Sequence, residues 1–281
     1  KRAANEASKT WDGTREQYYR LYKTTAIHLK KCFPNIKVGG PASVSSGMED
    51  PIWSNGFFDM LTKDERVPLD FYSWHVYITN PKELKPMIEY ARKLLDENGY
   101  TETESILDEW NYISGWDGAG MKKSVKTMHG VKGAALTAAT MCFCQSLPID
   151  MLMYYDFRPS TFNGAFDFYT NEPLKTYYVF KVFAELRKMG TQTECICEAD
   201  DVYALSATDK SGNEAMLAAY YTDEENMQEK EFEIVFENHN KKTELYLLDE
   251  TNDMILHKTA DKNNIKVTMK PNTVIYVKNI Q

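Results

Sequence analysis

A carboxylate at the end of an apolar segment is the strongest sign of chemistry in this sequence. The segment 105–112 reads Ser-Ile-Leu-Asp-Glu-Trp-Asn-Tyr, so an apolar run ends in Asp108 and Glu109 and is followed at once by Trp110 and Asn111. In α/β barrels the active site lies on the loops that follow the strands. Glu109 is therefore the first candidate catalytic residue, placed among aromatic and amide side chains of the kind that bind sugars. A solvated strand end without a chemical role is the alternative for this segment taken alone.

A second predicted strand end carries side chains that could assist that carboxylate. Residues 73–77 read Ser-Trp-His-Val-Tyr, and the two-residue period of a strand places His75 and Tyr77 on the same face. Both side chains could hydrogen-bond a polyhydroxylated ligand or orient Glu109. A histidine satisfied within the core is the alternative for His75.

Aromatic side chains near these strand ends are candidates for stacking on sugar rings. Trp110 and Trp116 flank Glu109 in sequence, and Tyr155 lies at the end of a further predicted strand. Core packing is the competing interpretation for each of them. The Asp156 and Arg158 side chains that follow Tyr155 could form an ion pair with a purely structural role.

The elements that must position these residues alternate between strands and helices before residue 190. Strands are predicted at 35–38, 70–77, 105–110 and 150–155, and helices at 16–32, around 57–61, and at 81–98, 132–145 and 177–188. Such repeated strand–helix units predict a parallel sheet covered by helices.

The pattern changes to the two-residue period of strands after residue 190. Eight short strands are predicted, at 195–197, 202–206, 215–221, 231–236, 243–248, 254–257, 265–269 and 273–277, which together favour an antiparallel β-sandwich. Composition changes at the same point, because all five tryptophans come earlier and residues 191–281 carry 18 acidic and 9 basic residues. We therefore predict two domains, residues 1–190 and residues 191–281.

Composition excludes several classes of function. The 281 residues carry a net charge of −8 without a run of Lys or Arg interleaved with aromatics, so nucleic acid is not an expected partner. The longest apolar stretches are far shorter than the roughly 20 residues of a membrane span, so no membrane partner is expected either. The sequence has neither the Gly-x-Ser-x-Gly motif of α/β hydrolases nor a glycine-rich phosphate loop.

The cysteines give no sign of a metal site. Five cysteines form two C-x-C pairs and no C-x-x-C pair, so neither a zinc module nor a disulfide framework is predicted. Unpaired cysteines favour a reducing, cytoplasmic compartment.

Taken together, these residues resemble glycoside hydrolase family 39, the β-xylosidase and α-iduronidase group of clan A. The resemblance spans about residues 5–185. It is carried by Lys-Val-Gly-Gly-Pro-Ala at 37–42, the strand ends at 75–77 and 108–111, Phe-Asn-Gly-Ala-Phe at 162–166, and the segment 173–180. It implies a (β/α)8 TIM barrel, a glycoside or oligosaccharide substrate, and a retaining mechanism that needs no metal or organic cofactor.

The resemblance also implies roles for individual residues. Glu109 matches the nucleophile at the end of the seventh barrel strand. The acid/base glutamate of the family follows an asparagine, which makes Glu6, after Asn5, the candidate acid/base and Asn5 a candidate for substrate binding. A retaining glycosidase holds its two carboxyl groups about 5–5.5 Å apart.

The resemblance is incomplete at the N-terminal side, because only the fifth to eighth barrel strands can be found. A full barrel needs about 250 residues. We therefore expect the C-terminal half of a barrel, the N-terminal half being truncated, omitted or supplied by another chain or an oligomeric partner. The alternatives are a catalytically inactive carbohydrate-binding relative or fragment, and a scaffold or interaction protein.

Overall fold

The computed structural model describes residue 11 and residues 13–63, 66–225, 227–237 and 242–280. The chain divides into two compact units. Unit 1 comprises Lys1–Val76, Met87–Asp108 and Ile149–Met151, and unit 2 comprises Tyr77–Pro86, Glu109–Pro148 and Leu152–Gln281.

Four strands form the first sheet, in the order β1-β2-β3-β4. These are β1 (Gly39–Val44), β2 (Phe71–Ile78), β3 (Glu104–Tyr112) and β4 (Met151–Tyr154). β1 pairs with β2 in parallel. The amide of Glu104 donates to Asp70 at the start of β3, and that of Ile113 donates to Ile78 at its end, so β3 runs parallel to β2. Parallel strands bring their C-terminal ends to one edge of the sheet.

Seven α-helices precede, separate or follow these strands along the chain. They are α1 (Arg15–Cys32), α2 (Ser45–Met48), α3 (Pro51–Thr62), α4 (Leu84–Glu97), α5 (Gly118–His129), α6 (Val131–Phe143) and α7 (Lys175–Met189) in the described part of the chain. The first begins at a capping box in which Thr14 and Gln17 satisfy each other's backbone amides. Helix α7 ends at Gly190, whose positive φ of 96° suits glycine.

Two sequence-based predictions for this region differ from the structure. The predicted strand at 35–38 is wrong, since the first strand begins at Gly39 and itself contains the Gly-Gly-Pro segment. A Cβ atom on Gly39 would lie 2.1 Å from the carbonyl oxygen of Phe71, so glycine lets β1 approach β2. Helix α5 was not predicted, because Gly118 and Gly120 at its start are poor helix formers.

Strands β5 to β12 form two antiparallel sheets in unit 2. They are β5 (Thr191–Thr193), β6 (Val202–Thr208), β7 (Glu214–Tyr220), β8 (Lys230–Val235), β9 (Lys242–Leu248), β10 (Asp253–Ala260), β11 (Asn264–Met269) and β12 (Thr273–Ile280). One sheet has the order β10-β9-β12-β7-β6-β5, and β8 pairs with β11 in the other. Both sheets contribute to a single hydrophobic cluster that includes Met216, Leu245, Ile265, Val267 and Ile275. Helices α6 and α7 pack on β6 and β7.

The predicted strand at 195–197 is also wrong. Strand β5 is Thr191–Thr193, which pairs with β6. The hydroxyl of Ser206 donates to the carbonyls of Thr193 and Glu194, so the backbone pairing ends there and residues 195–197 have no ladder partner among the described residues. The other seven predicted strands are present.

Candidate functional site

A tyrosine and a glutamate meet at the end of the parallel sheet. The Oη of Tyr77, near the end of β2, donates a hydrogen bond to Oε1 of Glu109 in β3. Burial raises the pKa of Tyr77, and the hydrogen bond to Glu109 raises it further, so the phenol stays protonated at neutral pH. The structure therefore brings together two of the predicted site residues as a fixed donor and a carboxylate acceptor.

Trp116 lies beside this pair on the loop that follows β3. Its ring centroid is 4.9 Å from that of Tyr77, with an interplanar angle of 86°. The side chain is 61% exposed, although the loop itself is fixed, because the amide of Ser114 donates to Ser124 Oγ on α5 at 2.9 Å. An exposed indole beside a partly buried carboxylate is a suitable platform for a sugar ring.

Asn111 and Tyr155 are linked through the backbone. Asn111 is buried, and its Nδ2 donates to the carbonyl oxygen of Tyr155 at 2.8 Å while its Oδ1 accepts from the amide of Tyr112 at 2.7 Å. Asn163, also buried, donates to the same carbonyl at 3.2 Å. Both amides therefore fix the chain just after β4, where the partly exposed Tyr155 ring begins the following loop.

Asn163 was not proposed as a site residue from the sequence. It belongs to Phe-Asn-Gly-Ala-Phe at 162–166, a segment that carried part of the family resemblance. That motif was the available signal, but its asparagine could not be paired with Tyr155 from local sequence alone.

Trp110 faces away from solvent. Its side chain is only 1% exposed, and its ring packs edge to face against Tyr154, with centroids 5.4 Å apart. This position fits the packing alternative for Trp110. Direct binding of substrate by this residue stays an untested prediction.

The remaining candidates are placed separately. In unit 1, Nδ1 of His75 lies 3.4 Å from Oδ1 of Asp108, and both side chains are partly exposed. Nε of Arg158 lies 2.6 Å from Oδ2 of Asp156, so these two residues form the ion pair that was considered as a structural alternative. The predicted acid/base residue Glu6 and its neighbour Asn5 lie outside the described residues.

The described residues contain no group of three or more His, Cys, Asp or Glu side chains that could hold a metal ion. They also include no helix with the length and apolar character required to cross a membrane.

Part of this chain matches a known sequence family. Residues 5–110 match the family model of glycosyl hydrolases family 39. A β-xylosidase of Caldicellulosiruptor saccharolyticus is 40% identical over 70 residues, which cover 25% of this chain and 13% of that protein. The resemblance to family 39 is confirmed over residues 5–110.

Solved structures share the fold of this chain. A glucosidase from Croceicoccus marinus superposes with a TM-score of 0.77 at 18% identity, over 96% of this chain and 66% of that one. The GH39 enzyme from Xanthomonas axonopodis pv. citri gives 0.74 at 12% identity, over 96% and 65%. The chain shares the fold of the matched part of each structure, and it spans slightly less than two thirds of either one.

The family 39 match covers part of the candidate site. Residues 5–110 include His75, Tyr77, Glu109 and Trp110, while Trp116 and Tyr155 lie beyond the match. The hydrogen-bonded tyrosine and glutamate thus fall within the segment that carries the family relationship.

Proposed function

We propose that this chain carries the nucleophile of a retaining glycoside hydrolase of the β-xylosidase type, acting on the O-glycosyl bonds of a glycoside or oligosaccharide. The observation that supports this most directly is the hydrogen bond from Tyr77 to Glu109 at adjacent strand ends. It joins the carboxylate that the family resemblance assigns as nucleophile to a donor that can hold the attacking oxygen in place. The curated relative named β-xylosidase supports the choice of sugar.

The reaction proceeds in two displacements. Glu109 attacks the anomeric carbon and forms a glycosyl ester, while the acid/base residue donates its proton to the departing oxygen. Water then attacks the same carbon, the acid/base residue takes a proton from it, and Glu109 leaves as a carboxylate. Glu6 is the proposed acid/base residue. Trp116 is the proposed stacking surface, and His75 and Tyr155 are the other proposed contacts around the sugar, while Asn111 holds the backbone at Tyr155.

The architecture proposed for this function is a half barrel followed by an accessory domain. Residues 1–190 would form the C-terminal half of a (β/α)8 barrel, which the four parallel strands support. Residues 191–281 would form a β-sandwich, supported by the cluster that the two antiparallel sheets share.

Covalent trapping tests the nucleophile. The protein is mixed with an activated aryl xyloside in which fluorine replaces the hydroxyl next to the anomeric carbon. We expect one equivalent of phenolate and a matching mass increase on the peptide that contains Glu109. Glu109→Gln should abolish both, whereas Glu104→Gln, on the same strand but paired with Lys37, should not. Absence of a label with sugar binding retained would favour the inactive carbohydrate-binding relative.

Leaving-group dependence tests the acid/base residue. Glu6→Ala should slow hydrolysis of substrates with poor leaving groups far more than that of activated aryl xylosides, which need little protonation. Azide should partly restore turnover of the activated substrates. Unchanged hydrolysis of every substrate would place the acid/base residue elsewhere.

A further inference from the structure

The loop after β7 touches the ends of both strands that carry the candidate site. Its residues Tyr221, Thr222 and Asp223 are called here the strand-end clamp. Tyr221 is buried and bonds to the segment after β2, and Asp223 bonds to the end of β3. All the groups involved belong to unit 2.

Asp223 fixes the end of β3 through two partners. Its Oδ1 accepts a hydrogen bond from Tyr112 Oη at 2.9 Å and lies 2.6 Å from Nζ of Lys132 on α6. Tyr112 is fully buried, and it is the last residue of β3, three positions after Glu109. Burial raises the pKa of Tyr112 to about 12, with a further contribution from Asp223, so this hydroxyl remains a donor.

Tyr221 fixes the end of β2. Its hydroxyl donates to the carbonyl oxygen of Thr79, the residue that follows β2 and stands two positions after Tyr77. The amide and the hydroxyl of Thr79 both donate to Oε1 of Glu83 at 3.0 Å, so this turn is held from two sides.

The clamp is itself held by the antiparallel region. The amide of Tyr221 donates to the carbonyl of Asp201 at 2.9 Å. The amide of Thr222 donates to Oδ1 of Asn272 at 3.2 Å, and its Oγ1 accepts from the amide of Glu224 at 3.1 Å. The backbone of the clamp is therefore fixed, and the side chains of Tyr221 and Asp223 connect it to the two strand ends.

We propose that Tyr221 and Asp223 are positioning residues that keep Tyr77 and Glu109 at hydrogen-bonding distance. The two residues are separated by one position in the chain, yet each is bonded to a different one of the two adjacent strand ends. Displacement of either strand end would change the separation of Tyr77 Oη and Glu109 Oε1 directly. This assignment rests on the proposed function, because it requires that Glu109 be the reacting group.

A double-mutant cycle tests the assignment on the protein with an aryl xyloside. Tyr221→Phe removes one hydroxyl, and Asp223→Ala removes the acceptor of Tyr112. Each should lower kcat by about tenfold with little change in KM, since small misplacements of reacting groups are costly. In a Tyr77→Phe background the same changes should cost less than about twofold, because the hydrogen bond they protect is already gone.

Matched variants separate positioning from general stability. Tyr220→Phe removes a comparable hydroxyl, bonded to the carbonyl of Gln228 at 2.9 Å within the antiparallel region, and should leave kcat unchanged. Asp223→Asn keeps an acceptor for Tyr112 and should retain more activity than Asp223→Ala. If Asp223→Ala fails to fold, Tyr221→Phe alone completes the cycle.

Additive losses in the Tyr77→Phe background, or an equal loss in Tyr220→Phe, would overturn the assignment. Hydrogen exchange gives a readout that does not depend on catalysis. Exchange of the amide of Ile113, which bonds to Ile78 at 3.2 Å, should speed up in Tyr221→Phe and Asp223→Ala but not in Tyr220→Phe. A wild-type protein without glycosidase activity would refute the proposed function, whereas unchanged exchange would refute the clamp.

Discussion

Replacing Tyr77 by phenylalanine should slow the second displacement more than the first. In the first step of the proposed mechanism the charge on Glu109 is consumed as the glycosyl ester forms, so a hydrogen bond donated to that carboxylate does not strengthen as the reaction proceeds. In the second step Glu109 departs and its charge returns. The Tyr77 hydroxyl, which donates to this carboxylate, stabilises that developing charge.

The size of the effect follows from the type of bond. A hydrogen bond to a charged group contributes about 1.5–3 kcal/mol, and each 1.4 kcal/mol or so corresponds to about a tenfold change in rate. Complete loss of the bond would therefore slow release of Glu109 by about 10- to 150-fold. Because the charge is only partly developed in the transition state, we expect about tenfold. Phenylalanine keeps the ring that meets Trp116, so stacking should persist.

Stopped-flow measurement with an activated aryl xyloside distinguishes the two steps. The Tyr77→Phe variant should release a fast burst of phenolate equal to the enzyme concentration, followed by a steady rate about tenfold below wild type. Retention of the wild-type steady rate, or a loss confined to the burst phase, would show that Tyr77 does not assist departure of Glu109.

Four further changes probe the site and the fold. Trp116→Ala should weaken binding of xylo-oligosaccharides, measured by calorimetry, with little change in Tm, because the ring is largely exposed. Trp110→Ala removes a buried ring and should lower the free energy of unfolding by about 3–5 kcal/mol. Gly39→Ala should lower Tm, since its Cβ would lie 2.1 Å from the carbonyl oxygen of Phe71. Burial lowers the pKa of His129 in the folded protein. As the pH falls below about 6.5, this histidine is therefore protonated in the unfolded chain before it is protonated in the folded protein. Stability in urea should therefore fall below that pH, and His129→Phe should weaken this dependence; an unaltered slope would exclude His129 as its source.

Most of the fold could be predicted because its elements have strong periodic patterns. Strand β7 reads Glu-Ala-Met-Leu-Ala-Ala-Tyr between turn residues, and α1 repeats apolar residues at helical spacing. Two of the errors came from glycine. Gly39 lies where two strands approach closely, and the glycines at the start of α5 are poor helix formers, although packing on α6 stabilises that helix.

The candidate site was predictable to the extent that residue type and strand position are local. Glu109 and Tyr77 could be proposed because each stands at a strand end, and the parallel sheet brings such ends together. The hydrogen-bond partner of each polar side-chain atom could not be predicted from the local sequence. Asn111 has the side-chain chemistry to bind a sugar, yet its amide is occupied by the carbonyl of Tyr155, 44 residues away.

The proposed role of the clamp explains why the antiparallel region gave no sign of a catalytic contribution in the sequence. Asp223 is 111 residues from Tyr112, and Tyr221 is 142 residues from Thr79, so no local spacing could reveal either contact. A buried tyrosine and an aspartate after a strand are ordinary residues of a β-rich domain. Their significance comes from the two neighbouring strand ends to which they bond. A region with few groups suited to chemistry can therefore still determine a rate, provided that it fixes the backbone from which the reacting groups project.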